Sequence, residues 1–143
     1  MVGFVFGVLT PAREVDRVVV GRLKAACGPA PTTFHKAFDL VPDRAEALDL
    51  IASLGIERVL TSGGALTAEA GAEELARLVR QSGGRVAILA GGGVRSHNAA
   101  ALVARTGVRE VHMCVMRARY GRPPSTSRDE IAAILRAFGG APS

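Results

Sequence analysis

Tryptophan is absent from this chain of 143 residues, tyrosine occurs once, and all aromatics together make up 4%. That supply is too thin for an all-β sandwich core and for the stacking platforms that bind single-stranded nucleic acid. Cysteine is nearly absent too: Cys27 and Cys114 stand far apart with no CxxC spacing, which excludes a disulfide framework and a zinc site of the usual spacing. A reduced, cytoplasmic protein is therefore expected. No apolar run approaches the roughly 20 residues of a membrane span, and the N-terminus shows no basic segment followed by a long apolar one, so no membrane is expected as a partner. Lysine is almost missing, with two of the 18 cationic residues, so the formal charge of +5 rests on arginine. The arginines are scattered along the chain rather than gathered in a stripe, which argues against nucleic acid.

What is present is 48% hydrophobic residues and 17 glycines, enough for a core built of small aliphatic side chains. Residues 1–143 read as one domain. The run from Val2 to Leu9 reads as a buried strand that ends at Thr10-Pro11, and Glu14 to Cys27 has helical spacing and stops at Gly28-Pro29. The alternation then repeats. Strands are expected at Thr32–His35, Glu57–Leu60, Arg85–Ala90 and Glu110–Met116. Helices are expected at Asp43–Leu54, Ala68–Gln81, Asn98–Arg105 with Ser96 as N-cap, and Ser127–Phe138. An arginine-rich loop should fill the stretch to Pro124. Five βα units in succession require a parallel sheet with right-handed crossovers, and their regular spacing favours an incomplete parallel (β/α) barrel of the TIM type over an open sheet.

In such folds ligands sit at the C-terminal ends of the strands. The second strand ends in Thr33-Phe34-His35-Lys36-Ala37-Phe38-Asp39, where His35 and Asp39 are candidates for acid–base work. A histidine tied to backbone and an aspartate capping a turn is the alternative. Thr61-Ser62-Gly63-Gly64 and Gly91-Gly92-Gly93 each put bare backbone before a helix, where an anion would be favoured. Either turn could equally use its glycines only for positive φ. The last strand carries His112, Cys114 and Met116, which alternation places on one face. These are soft donors of the kind that suits Cu(I). Residues i and i+2 on a strand stand about 7 Å apart, far for one ion with bonds of about 2.0 to 2.3 Å, and core filling is the other reading. Arg117, Arg119 and Arg122 beside Tyr120 form the local basic cluster, a steering patch or a solvated loop. Cys27 at a helix end reads as structural, and His97 as exposed.

Taken together, Gly-Phe-Val-Phe-Gly-Val-Leu-Thr-Pro (3–11), Thr-Phe-His-Lys-Ala-Phe-Asp (33–39), Arg-Val-Leu-Thr-Ser-Gly-Gly (58–64), Ala-Gly-Gly-Gly-Val (90–94) and Glu-Val-His (110–112) resemble, in order, motifs of the copper homeostasis protein CutC family. The resemblance implies a TIM barrel and a cytoplasmic protein associated with copper, with copper ion or a small anionic ligand as its partner. It aligns this chain with strands four to eight of the family barrel. About 250 residues make a typical barrel, so a shortened product, a fragment or a sheet completed by homo-oligomerisation is expected. Carried over at matching positions, His35, Asp39, Thr61, Ser62, Gly91 to Gly93 and His112 would rim the pocket. His112 and Cys114 remain the metal candidates, because the cysteines usually proposed as copper ligands in the family fall outside this stretch. A lyase or isomerase acting on a small phosphorylated substrate, with His35, Asp39 and His112 as acid–base groups, is the rival reading.

Overall fold

In the computed structural model, which describes residues 3–119 and 122–139, every helix except one begins at a residue able to cap it with a side chain. Asp16 accepts from the Val19 N–H ahead of α1 (Arg17–Ala26), and Asp43 accepts from the Glu46 N–H ahead of α2 (Arg44–Ser53), both at 2.9 Å. Ser127 does the same for the Glu130 N–H ahead of α5 (Arg128–Ala137). Each cap satisfies a backbone donor that the first helical turn leaves open. The exception is α3 (Ala72–Ser82), which starts at Gly71 and ends at Gly83 in the left-handed region; α4 (Ala99–Thr106) ends the same way at Gly107.

Between these helices run β1 (Phe4–Phe6), β2 (Thr32–Phe34), β3 (Arg58–Thr61), β4 (Ala87–Gly91) and β5 (Glu110–His112). They form one parallel sheet in chain order, β1-β2-β3-β4-β5. A sheet whose neighbours are always sequential is an arc of a barrel, with each helix returning the chain to the start of the next strand. Val59, Ile88 and Ala90 are buried together with Leu48 and Ile51 of α2, Leu75 and Leu78 of α3 and Leu102 of α4. Burial of a leucine or isoleucine such as Leu75 or Ile51 stabilises by about 1.5–3 kcal/mol. The alternate positions Arg58, Leu60, Ala87 and Leu89 are only partly covered. There Arg58 of β3 reaches over β4 to form a bidentate ion pair with Glu110 of β5. β1 is an edge strand, with Phe4 47% and Val5 65% exposed.

Four expectations from the sequence are corrected. The last strand of the sheet stops at His112, not Met116. The arginine-rich stretch is no loop but a two-stranded antiparallel hairpin, β6 (Met116–Arg119) and β7 (Arg122–Thr126). Met116 therefore belongs to a different sheet from His112 and cannot share a strand face with it, and Cys114 lies in the connection between them. Third, Ser96 does not cap α4. Asn98 holds the N-cap position, and Ser96 is engaged elsewhere. The first strand is also shorter than Val2–Leu9; beyond Phe6 the chain turns, and Leu9 bridges antiparallel to Val15. Tyr120 lies outside the described residues.

Candidate functional site at the strand ends

The chain leaves β2 in a 3₁₀ turn, Lys36–Leu40, rather than in a free loop. His35 caps it: its Nδ1 accepts from the Ala37 N–H at 3.1 Å. The ring fits because residue 7 is glycine; a Cβ there would stand 2.7 Å from His35 Nδ1. The same turn buries Phe38 completely, which fixes the direction in which Asp39 points.

Asp39 reaches across to the end of β3. Its carboxylate accepts from the Thr61 hydroxyl, from the Ser62 N–H, from the Gly64 N–H at 2.9 Å and from the Ser62 hydroxyl at 2.8 Å. Burial alone pushes this carboxyl up, but the bonds from Thr61, Gly64 and Ser62 outweigh it and hold Asp39 below its ordinary value. The turn Thr61–Gly64 thus accommodates an anion, and that anion is the protein's own. Its glycines serve the geometry as well. Gly63 has φ 71°, and a Cβ on Gly71 would lie 1.9 Å from the Ser62 carbonyl oxygen, so the turn rests directly on the start of α3.

His35 and Asp39 therefore do not act on each other: the first leans against Gly7 beyond β1 and the second is bound into the β3 turn. Between them stands Lys36, which the sequence reading passed over. Its side chain is 43% exposed and its Nζ lies 3.5 Å from Asp39 Oδ2. A Cβ added at Gly92 would meet Lys36 Nζ and Ser62 Cβ at 3.2 Å each, which places the ammonium directly over the turn after β4. The i,i+3 spacing of Lys36 and Asp39 on one turn was the signal available.

Gly91, Gly92 and Gly93 end β4. Gly91 pairs in register with His112, and a Cβ at Gly91 would stand 2.6 Å from Leu60 Cδ1 and 3.3 Å from His112 Cβ. The Gly92 carbonyl accepts from the Ala68 N–H at 2.8 Å, and Gly92 and Gly93 both take positive φ. The N–H and hydroxyl of Ser96, which follow this turn, donate to the Glu130 carboxylate of α5 at 2.8 and 3.0 Å. These bonds hold Glu130 below its ordinary value. A second of the protein's own carboxylates thus occupies the approach to α4. His112 is exposed at the end of β5, Cys114 is exposed beyond it, and His97 is exposed in the turn before α4. Among the described residues no three His, Cys, Asp or Glu side chains gather as a metal site would need.

A cavity of about 590 Å³ lies at the opposite end of the sheet, between the β3–β5 strand starts and the ends of α3 and α4, lined by Glu57, Arg85, Val86, Gly107 and Arg109 among others. In barrels that end carries stability rather than chemistry. There Glu57 accepts from Lys24 and from the Thr32 N–H and hydroxyl. Burial raises its carboxyl, and these bonds bring it down to about 2.

An arc of parallel βα units in chain order, with polar groups and glycine turns at the C-terminal strand ends, is part of a (β/α) barrel of the TIM type. The CutC family model matches residues 1–117, and the chain belongs to that family. It is 49% identical over 110 residues to a family protein CutC of Caulobacter vibrioides, covering 77% of this chain and 45% of that protein. It is 41% identical over 110 residues to the human copper homeostasis protein cutC homolog, covering 77% and 40%. The crystal structure of the putative copper homeostasis protein CutC from Streptococcus agalactiae superposes with a TM-score of 0.72 at 30% identity, over 76% of this chain and 53% of that one. The chain thus spans about half the length of the relatives it matches.

Proposed function

We propose that this chain forms the ligand-binding part of a cytoplasmic CutC-type barrel protein associated with copper homeostasis, with a small anionic or polar ligand held at the C-terminal strand ends. The carrying observation is the family match along residues 1–117. Supporting it, the motif residues His35, Asp39, Ser62, Gly92 and His112 lie at one end of the sheet. The Asp39 carboxylate is saturated with hydrogen bonds, so in this reading it anchors the site.

The copper association comes with the family. On this chain the donors suited to Cu(I) are His112 and Cys114, both exposed, and neither is hydrogen-bonded to the Asp39 cluster. Copper is accordingly assigned no place at the Asp39 cluster. Titration of the reduced protein with Cu(I) against a competing chelator tests this assignment. The chelator is expected to retain the metal; a tight complex that vanishes in Cys114→Ser would overturn the assignment and return copper to the end of β5. Light scattering on the same sample tests association between chains, which the exposed Phe4 and Val5 of the β1 edge support.

A further inference from the structure

Two of the turns at this end of the sheet already bind the protein's own carboxylates. The Thr61–Gly64 turn holds the Asp39 carboxylate, and the Ser96 N–H and hydroxyl hold the Glu130 carboxylate. A further turn, at Gly92 and Gly93, holds no carboxylate among the described residues. Over it stands Lys36, one of only two lysines in the chain.

We propose that Lys36 is the residue that binds the charged group of the ligand, an oxyanion held on the solvent-facing side of its ammonium, beside the turn at Gly92 and Gly93. This deepens the strand-end reading above and rests on it. Three features carry it. The Lys36 side chain is 43% exposed while its partner Asp39 is 11% exposed, so the cation has an open side and the carboxylate does not. Asp39 draws its remaining bonds from Thr61, Ser62 and Gly64, so it holds the lysine in place without being free to swing away with it. At Gly92 a Cβ would stand tight, 3.2 Å, against Lys36 Nζ and Ser62 Cβ, and φ of 111° favours glycine independently. Glycine at this position thus lets the ammonium lie close over the turn, with its free side toward solvent. An ammonium acts there as a point charge with rotatable donors, which suits a phosphoryl or carboxylate group equally. Glu130 at Ser96 excludes the alternative seat at the start of α4, because a ligand anion there would have to displace a carboxylate already bound by two donors.

The test is NMR titration of the full 143-residue chain with inorganic phosphate and, separately, with succinate; the pair distinguishes a phosphoryl from a carboxylate preference. Saturable amide shifts are expected at Gly92, Gly93 and Ser62. Lys36→Met should weaken binding about tenfold, as loss of a charge-assisted contact does. Lys36→Arg should restore most of it, and Glu130→Gln should leave it unchanged. Retained amide dispersion in Lys36→Met shows that the variant is folded. Unchanged affinity in Lys36→Met, shifts centred on Ser96 and strengthened by Glu130→Gln, or no saturable shift with either anion would each overturn the proposal. None of these outcomes touches the copper assignment, which is read separately by chelator competition.

Discussion

The glycine turns after β3 and β4 look alike in sequence and are built for opposite purposes. The first is closed: Gly63 and Gly71 press backbone on backbone, and Asp39 takes up the hydroxyls and N–H groups that the turn offers. The second is open, with Gly92 half-covered, Gly93 exposed and a cation above them. A run of glycines before a helix therefore states that backbone comes close to something; it does not state whether that something is already part of the protein.

The largest effect should come from breaking the closed turn at its tightest point. Gly71→Ala puts a methyl group where the Ser62 carbonyl oxygen lies 1.9 Å away, so either β3's exit or the start of α3 must move. A loss above about 4 kcal/mol, or no cooperative unfolding at all, is expected in urea denaturation. An unchanged midpoint would mean that the turn does not rest on α3.

Next in size is Asp39→Asn, which keeps the shape but presents an amide NH₂ to a ring of donors. We expect a loss of about 2–3 kcal/mol, since donors at the buried Thr61 and Ser62 lose their acceptor. The pH dependence sharpens the point. Asp39 and Glu57 both have folded values below their ordinary ones, so the stability they add is present above the ordinary carboxylate range and is lost as pH falls through the folded values. The urea midpoint of the parent should drop as pH falls through the ordinary carboxylate range toward about 2, where Glu57 takes up its proton. Asp39→Asn should flatten that drop, and an equally steep drop would show that Asp39 is not titrating as described.

The smallest effect belongs to the open side. Glu130→Gln removes charge from a solvent-facing contact and should barely move the urea midpoint, while hydrogen exchange at the Ser96 amide quickens. Unchanged exchange would mean that Glu130 does not hold that N–H in solution.

The order of strands and helices was legible because each βα unit carries its own local punctuation: Asp16, Asp43 and Ser127 start helices, and Gly83 and Gly107 end them. The residues at the strand ends were legible as well, being motif positions. What the spacing could not convey was their partners. His35 and Asp39 are close in sequence yet face β1 and β3 respectively, and the Ser96–Glu130 contact joins residues 34 positions apart. The hairpin lies where the stretch to Pro124 reads as an arginine-rich loop, and Pro123 and Pro124 fall within β7. In a two-stranded ribbon every strand is an edge, and proline is tolerated there. Lys36 was passed over because its neighbours His35 and Asp39 carry the more familiar chemistry.

The room that Gly7 leaves for the His35 ring ties two distant positions of the chain into one unit of inheritance. A methyl group at position 7 would evict the imidazole, and a smaller residue at position 35 would leave a hole beside β1. Among relatives the two positions should therefore drift as a couple, glycine kept wherever the ring is kept, whatever becomes of the surface around them.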